Sequence, residues 1–318
     1  MLDEPHRSST DKSQSDSTAA SGNNQSSGAA SGQPRGWSRA DRKHLFIWVT
    51  VGFLVPGLLT YALHGATNLD GSNFTVQHEL PTKALLAFFM ALATWIVSRL
   101  EKRPLDDYGI PPRQAFGWRF WEGCVWGFIM LSAILLILVA SGHFQIDSMA
   151  LTGAAVFRYA LGWSAVFLAV SISEEFTFRG YWLFSISKRL RFWPSALLLS
   201  LLFAAAHIPN HGENVLGILQ VLEVGMLFCL TIRRTGNLWF AVGFHAAWDW
   251  AETFFYGVAN SGLLGAGRLL NSSVQGPDWL TGGSAGPEGS ILALLVLLLC
   301  GLLIHFRFPK AIYPDRPR

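Results

Sequence analysis

Leu168-Ala169-Val170-Ser171-Ile172-Ser173-Glu174-Glu175-Phe176-Thr177-Phe178-Arg179 is an oily run that ends in two adjacent glutamates and, four residues beyond the second, an arginine. A carboxylate at bilayer depth costs roughly 2.5–3.5 kcal/mol on insertion scales, so an ionisable group there is a functional candidate by default. On a helix, Glu175 and Arg179 are i,i+4 neighbours and can pair. Glu174 points about 100° away from Glu175. One carboxylate is then neutralised in place while the other stays free to work. A motif that only locked helices together would have no use for Glu174.

The surroundings read as membrane. The chain has 318 residues, of which 51% are hydrophobic and only 14% charged, against about 25% charged in soluble domains. Its 13 tryptophans suit a protein with two lipid–water interfaces. Apolar segments near 45–63, 84–98, 121–141, 157–178, 193–207, 215–232, 237–256 and 290–306 predict an all-α polytopic helical bundle of about eight transmembrane helices. Pro56 is expected to kink the first. The segments 35–44, 99–119, 188–191, 233–234 and 306–318 hold eighteen lysines and arginines, whereas the alternate loops 64–82, 142–156, 208–214 and 257–289 hold one, Arg268. This asymmetry predicts a multi-pass protein of the plasma membrane with cytoplasmic N- and C-termini. Residues 1–43, rich in Ser, Gly, Asn, Gln and Asp, read as a disordered tail. Residues 44–306 read as the membrane domain, and 307–318 as a short cytoplasmic C-terminal tail. The Gly/Ser-rich stretch 257–289 reads as an external loop. Cys124, Cys229 and Cys300 lie in apolar stretches without CxxC spacing, which argues against a disulfide framework or a zinc–thiolate site. No long basic run with interleaved aromatics is present, so nucleic acid is not an expected partner.

Two more spans carry polar groups. Phe203-Ala204-Ala205-Ala206-His207 places a histidine beside an alanine run that lets another helix approach closely. His211, in the short loop beyond, reads as solvated. His245-Ala246-Ala247-Trp248-Asp249 puts an imidazole and a carboxylate on one helical face, where Asp249 can orient His245 and set its tautomer. Glu223 and Glu252 also fall within spans, without an evident role. Counted at about 1.5 Å per residue from the nearest basic anchors, Glu174 lies at most roughly 21 Å deep, His207 roughly 24 Å and His245 roughly 12 Å. All three fall inside a hydrocarbon core about 30 Å thick and can meet near mid-depth. A carboxylate beside two imidazoles in a low-dielectric cavity can activate water, with the histidines donating to a developing oxyanion. Glu174, His207 and His245 are equally a chemically adequate ligand set for Zn2+, which would lower the pKa of a bound water. A proton- or ion-coupled transporter, with Glu174, Glu223, His207 and His245 as a relay, is a competing reading. It lacks the paired, Gly/Pro-broken halves of such proteins.

With the motifs Glu174-Glu175-x-x-x-Arg179, Phe203 to His207 and His245 to Asp249 in this order, the chain resembles the CPBP family of intramembrane proteases, the type II CAAX prenyl protease and bacteriocin-processing or immunity group. The stretch Arg234-Thr235-Gly236-Asn237-Leu238-Trp239 is similar to that family's approach to its last motif. The resemblance covers roughly 157–256 and implies an intramembrane endopeptidase with a water nucleophile, acting on a peptide or protein substrate at the lipid bilayer. It implies that Glu174 activates the water and that Glu175 and Arg179 hold the motif. His207 and His245 would stabilise the oxyanion or bind metal, with Asp249 assisting His245. Asp249 stands where the eukaryotic CAAX proteases have asparagine. A proteolytically silent immunity or scaffold protein that keeps the motifs is the remaining alternative.

Overall fold

The computed structural model describes residues 38–64, 74–210 and 212–317. Most of the expected tail, and His211, lie outside the described residues. The helices are α1 (Arg39–Val49), α2 (Val55–His64), α3 (Val76–Glu101), α4 (Trp118–Ala140), α5 (Ala154–Glu175), α6 (Trp182–Leu190), α7 (Phe192–His207), α8 (Val215–Thr235), α9 (Trp239–Trp250), α10 (Asp278–Thr281) and α11 (Ile291–Arg307). Strands β1 (Phe144–Met149) and β2 (Leu270–Val274) pair antiparallel. The protein is a mostly helical membrane bundle. Among the described residues, five helical stretches are long and apolar enough to cross a membrane: Arg39–Ala62, Val76–Glu101, Trp118–Ala140, Ala154–Leu190 and Val215–Thr235. Phe192–His207 and Ile291–Arg307 are apolar but shorter. The remaining expected segment, 237–256, forms α9 and a π-helical turn, Ala251–Tyr256.

Local chemistry accounts for the differences from the sequence reading. Helix α1 begins at Arg39, inside the stretch assigned to the tail, because Ser38 and Asp41 form a capping box. The irregularity expected at Pro56 appears as a π-helical turn, Thr50–Leu54, just before it. Such a widened turn suits a proline that cannot donate its backbone N–H. The helical stretch from Ala154 runs on to Leu190 through a π-helical turn, Phe176–Tyr181, with Gly180 out of helical geometry. The loop 257–289 is more ordered than expected: it supplies β2, α10 and the turn Pro287–Gly289.

The loops sort by charge onto opposite ends of the bundle. At one end, Arg189 bonds Asp41 (2.7 Å) and Lys188 lies 3.9 Å from Glu101. Ile312 and Tyr313 donate backbone N–H groups to the Arg233 carbonyl, and Arg191 pairs with Asp315 at 3.7 Å. All five basic segments thus meet. The residues after α11 are therefore docked, with Tyr313 buried and its hydroxyl donating to the Asp107 carbonyl. At the other end, β1 of loop 142–156 pairs with β2 of loop 257–289, Ala266 N–H donates to the Phe74 carbonyl, and the Asn214 amide donates to the Gly282 and Gly289 carbonyls. The four basic-poor loops converge there.

Helix α9 is seated against α4 backbone to backbone. Gly123 and Gly127, a small-xxx-small pair, face the carbonyls of Phe240 and Phe244, and Gly243 faces that of Phe120. A methyl group at any of the three would collide with a carbonyl oxygen of the opposite helix. Such overpacking costs about 1–3 kcal/mol or more. Gly127→Ala is expected to lower the thermal unfolding midpoint of the detergent-solubilised protein by several degrees. An unchanged midpoint would show that the two helices can separate freely.

Candidate functional site

The end of α5 divides its two carboxylates as the spacing predicts. Glu175 is fully buried, and its Oε1 accepts from Arg179 Nη1 at 3.2 Å. Glu174 retains 30% side-chain exposure and turns its Oε2 toward His245 Nε2, 3.8 Å away. Arg179 is itself buried, one π-helical residue before Gly180. Its guanidinium carbon sits 4.1 Å from the ring centre of Phe203 and 5.7 Å from those of Phe178 and Phe228. Cation–π contacts of this kind are worth about 2 kcal/mol or more when desolvated.

His245 stands between three carboxylates. Its Nδ1 hydrogen-bonds Glu175 Oε1 at 3.0 Å, while Nε2 faces Asp249 Oδ2 at 3.5 Å and Glu174 Oε2 at 3.8 Å. Since a carboxylate only accepts, Nδ1 carries the proton in the first bond. The ring is only 14% exposed and stacks on Phe228. The bond from Glu175 to His245 was not legible beforehand, because it joins residues seventy positions apart.

The contacts of His207 are with its own helix. Its Nδ1 donates to the Phe203 carbonyl at 2.9 Å and its ring packs edge-on against Phe203. That bond leaves Nε2 for other partners. Among the described residues, no ion pair within 4.0 Å links His207 to Glu174. Likewise among them, no three His, Cys, Asp or Glu side chains are arranged to hold a metal ion. Glu174, His207 and His245 are not grouped as three metal ligands among the described residues.

Further carboxylates sit beyond Asp249. Glu252, one helical turn on, is fully buried with neither oxygen hydrogen-bonded. Glu288, from the loop before α11, is buried and accepts from Ser261 N–H at 2.5 Å. Burial, helped by the nearby charge of Asp249, pushes the Glu288 carboxyl up to about 8. Burial also raises Glu213, which is drawn the other way by the Asn214 N–H bond and by His207. Glu288 had no motif to mark it, being one acid in a Gly/Ser-rich stretch. Glu223 lies apart on α8, with one oxygen buried and unpartnered.

The arrangement can hold a water between Glu174 and His245 and hand its proton to a carboxylate. Residues 157–251 match the family model described as "Rce1-like: Type II CAAX prenyl endopeptidase Rce1-like". No curated protein and no solved structure matches the chain. The matched span contains all six residues singled out from the motifs, from Glu174 to Asp249.

Two consequences are measurable. Removing Glu175 leaves Arg179 buried and unpaired, which costs about 3–5 kcal/mol. Glu175→Ala should show that loss in chemical or thermal unfolding, and Glu175→Ala with Arg179→Met should recover part of it. Glu288 titrates at about 8 in the fold against 4.5 ordinarily. Between those values the unfolded chain has released a proton that the folded one keeps, so stability falls as pH rises through this window. Glu288→Gln should flatten that fall in melts taken from pH 5 to 8, and parallel slopes would refute it.

Proposed function

We propose that this chain, Rce1-like over residues 157–251 and at family level an intramembrane CAAX-type protease, hydrolyses peptide bonds with a water activated by Glu174. The observation that carries this reading is the partly open Glu174 carboxylate 3.8 Å from an imidazole whose other nitrogen is fixed by a buried ion pair. A water between them loses a proton to Glu174 as its oxygen bonds to the scissile carbonyl carbon. The carbonyl π electrons move onto oxygen, and an imidazole N–H meets the resulting anion. The C–N bond then breaks, and the proton held by Glu174 passes to the departing amine. In this reading His245 acts as the imidazolium, with its Nδ1–H on Glu175 and its Nε2–H turned to the oxyanion. Asp249 stands beside the same nitrogen and orients the ring. Glu175 and Arg179 hold Nδ1 in place. His207, its Nδ1–H committed to the Phe203 carbonyl, meets the substrate oxygen from Nε2 only as the imidazolium.

The substrate is a peptide or protein presented at the bilayer. The sorting of basic and basic-poor loops supports an orientation with both termini cytoplasmic, in the plasma membrane for a cell bounded by a single such bilayer. CAAX-type processing follows from the family, and the presence of a prenyl group is open to direct comparison.

Purified protein should cleave candidate CAAX-type peptides, and turnover should fall at least about 100-fold in Glu174→Ala and in His245→Ala. Farnesylated and unprenylated peptides of one sequence, compared by kcat/KM, report whether the lipid is read. Undiminished turnover in both variants would overturn the site. Turnover lost to a chelator and restored by zinc would move water activation from the glutamate to a metal.

A further inference from the structure

We infer that Gly225, on α8, is a positioning residue for the site just proposed, acting through the side chain of Arg179; the inference rests on that reading of the site. Arg179 donates from Nη1 to Glu175 and lies beside the buried Cys229 thiol of α8, and its Nε and Nη2 meet no carboxylate or carbonyl among the described residues. Its place is therefore set by walls more than by bonds. Three walls are the rings of Phe178, Phe203 and Phe228. The fourth is the backbone of α8 at Gly225, where a methyl group would lie 2.7 Å from Arg179 Nη2 and 2.8 Å from Ser200 Oγ.

Gly225 is buried within a regular helix and its φ is not positive, so the backbone does not call for glycine there. A glycine in a helix interior costs about 1 kcal/mol relative to alanine. The space it leaves is what the structure uses. A methyl group at this position would lie 2.7 Å from Nη2, so the guanidinium must shift, and a shift disturbs its seat 4.1 Å from the Phe203 ring centre or its 3.2 Å bond from Nη1 to Glu175. The oxygen that would be released, Glu175 Oε1, is the one that holds His245 Nδ1. Gly225 thus reaches His245 through two intervening side chains, without touching substrate.

The test is a set of variants read in two ways. Gly225→Ala should lower kcat at least about tenfold with KM nearly unchanged, as expected for a disturbed transition-state contact. Arg179→Lys lacks Nη2, so adding Gly225→Ala to it should cost little more. Gly225→Ala with Ser200→Gly relieves both contacts with Ser200, at 2.8 Å to Oγ and 2.9 Å to Cβ, but not the contact with Arg179, and should not recover kcat. Full recovery in that double variant, or independent multiplication of the Gly225→Ala and Arg179→Lys effects, would overturn the inference. If Gly225→Ala does not fold, its pairing with Arg179→Lys should fold, and failure of both would overturn it as well. The second reading is the imidazole 15N spectrum of the detergent-solubilised protein, with His245 assigned by His245→Asn. Its ring signals should move in Gly225→Ala as they do in Arg179→Lys. Unmoved signals sink the role of Gly225 whether or not any peptide is cleaved, whereas a wild type that cleaves nothing sinks the peptidase reading alone.

Discussion

The buried pair of Glu175 and Arg179 is the constraint on which the rest of the site depends. Neither side chain reaches solvent, and taking both charges out of water carries a penalty of several kcal/mol per ion that one 3.2 Å contact repays only in part. The remainder comes from neighbours on other helices. Phe203 of α7 and Phe228 of α8 offer ring faces to the cation, and His245 of α9 donates to the anion. Four helices must therefore be correctly registered before the pair is tolerable. The same requirement that makes the pair costly makes misregistered packings costlier, and so specifies one arrangement of the bundle.

The consequence for chemistry is a separation of duties between two adjacent residues of the same type. Glu175 is committed to Arg179 and His245, while Glu174 is left partly open and unbonded by any cation within the helix. His245 inherits its orientation from both ends: Glu175 from α5 holds Nδ1, and Asp249, one turn along its own helix, stands by Nε2. An imidazole fixed in this way loses little freedom when substrate arrives, which is where preorganised donors gain their advantage over water.

What was legible in the sequence was local. Glu175 with Arg179 and His245 with Asp249 were readable because a helix brings i and i+4 together wherever it lies. The divergence of Glu174 and Glu175 by about 100° followed from the same geometry. The two-end sorting of loops was readable from lysine and arginine counts because charge resists burial in lipid. The contact of Glu175 with His245 was not readable, since it depends on how α9 seats against α5, and that seating is set by Gly123, Gly127 and Gly243 on another interface. The ribbon of β1 and β2 escaped notice because Phe144 is the only buried residue of β1, leaving no alternating pattern to find. His207 shows the limit of depth arguments. Counting rise gave it a depth compatible with Glu174, but could not foretell that its Nδ1 is taken by the Phe203 carbonyl, since lateral position and side-chain partners are not fixed by depth.

Two of the acid-bearing motifs are followed at once by a π-helical turn: Glu175 by Phe176–Tyr181, and the helix of His245 and Asp249 by Ala251–Tyr256. Such turns have poorer bonding than an α-helix and concentrate at functional sites. Their effect here is rotational. An extra residue in one turn swings everything beyond it by about 100°, so the two sides of the turn can satisfy unrelated partners. Before the first turn, Glu174 and Glu175 approach His245; at its last residue, the Tyr181 hydroxyl donates to Glu101 at the basic end of the bundle. Just before the second, the carbonyl of Asp249 is met by the Asn260 amide at 3.5 Å, and within it Glu252 is carried inward to full burial. A straight α-helix would present these two sets of contacts at a different relative rotation, and the widened turn uncouples the face of Glu174 and His245 from the end-loop contacts.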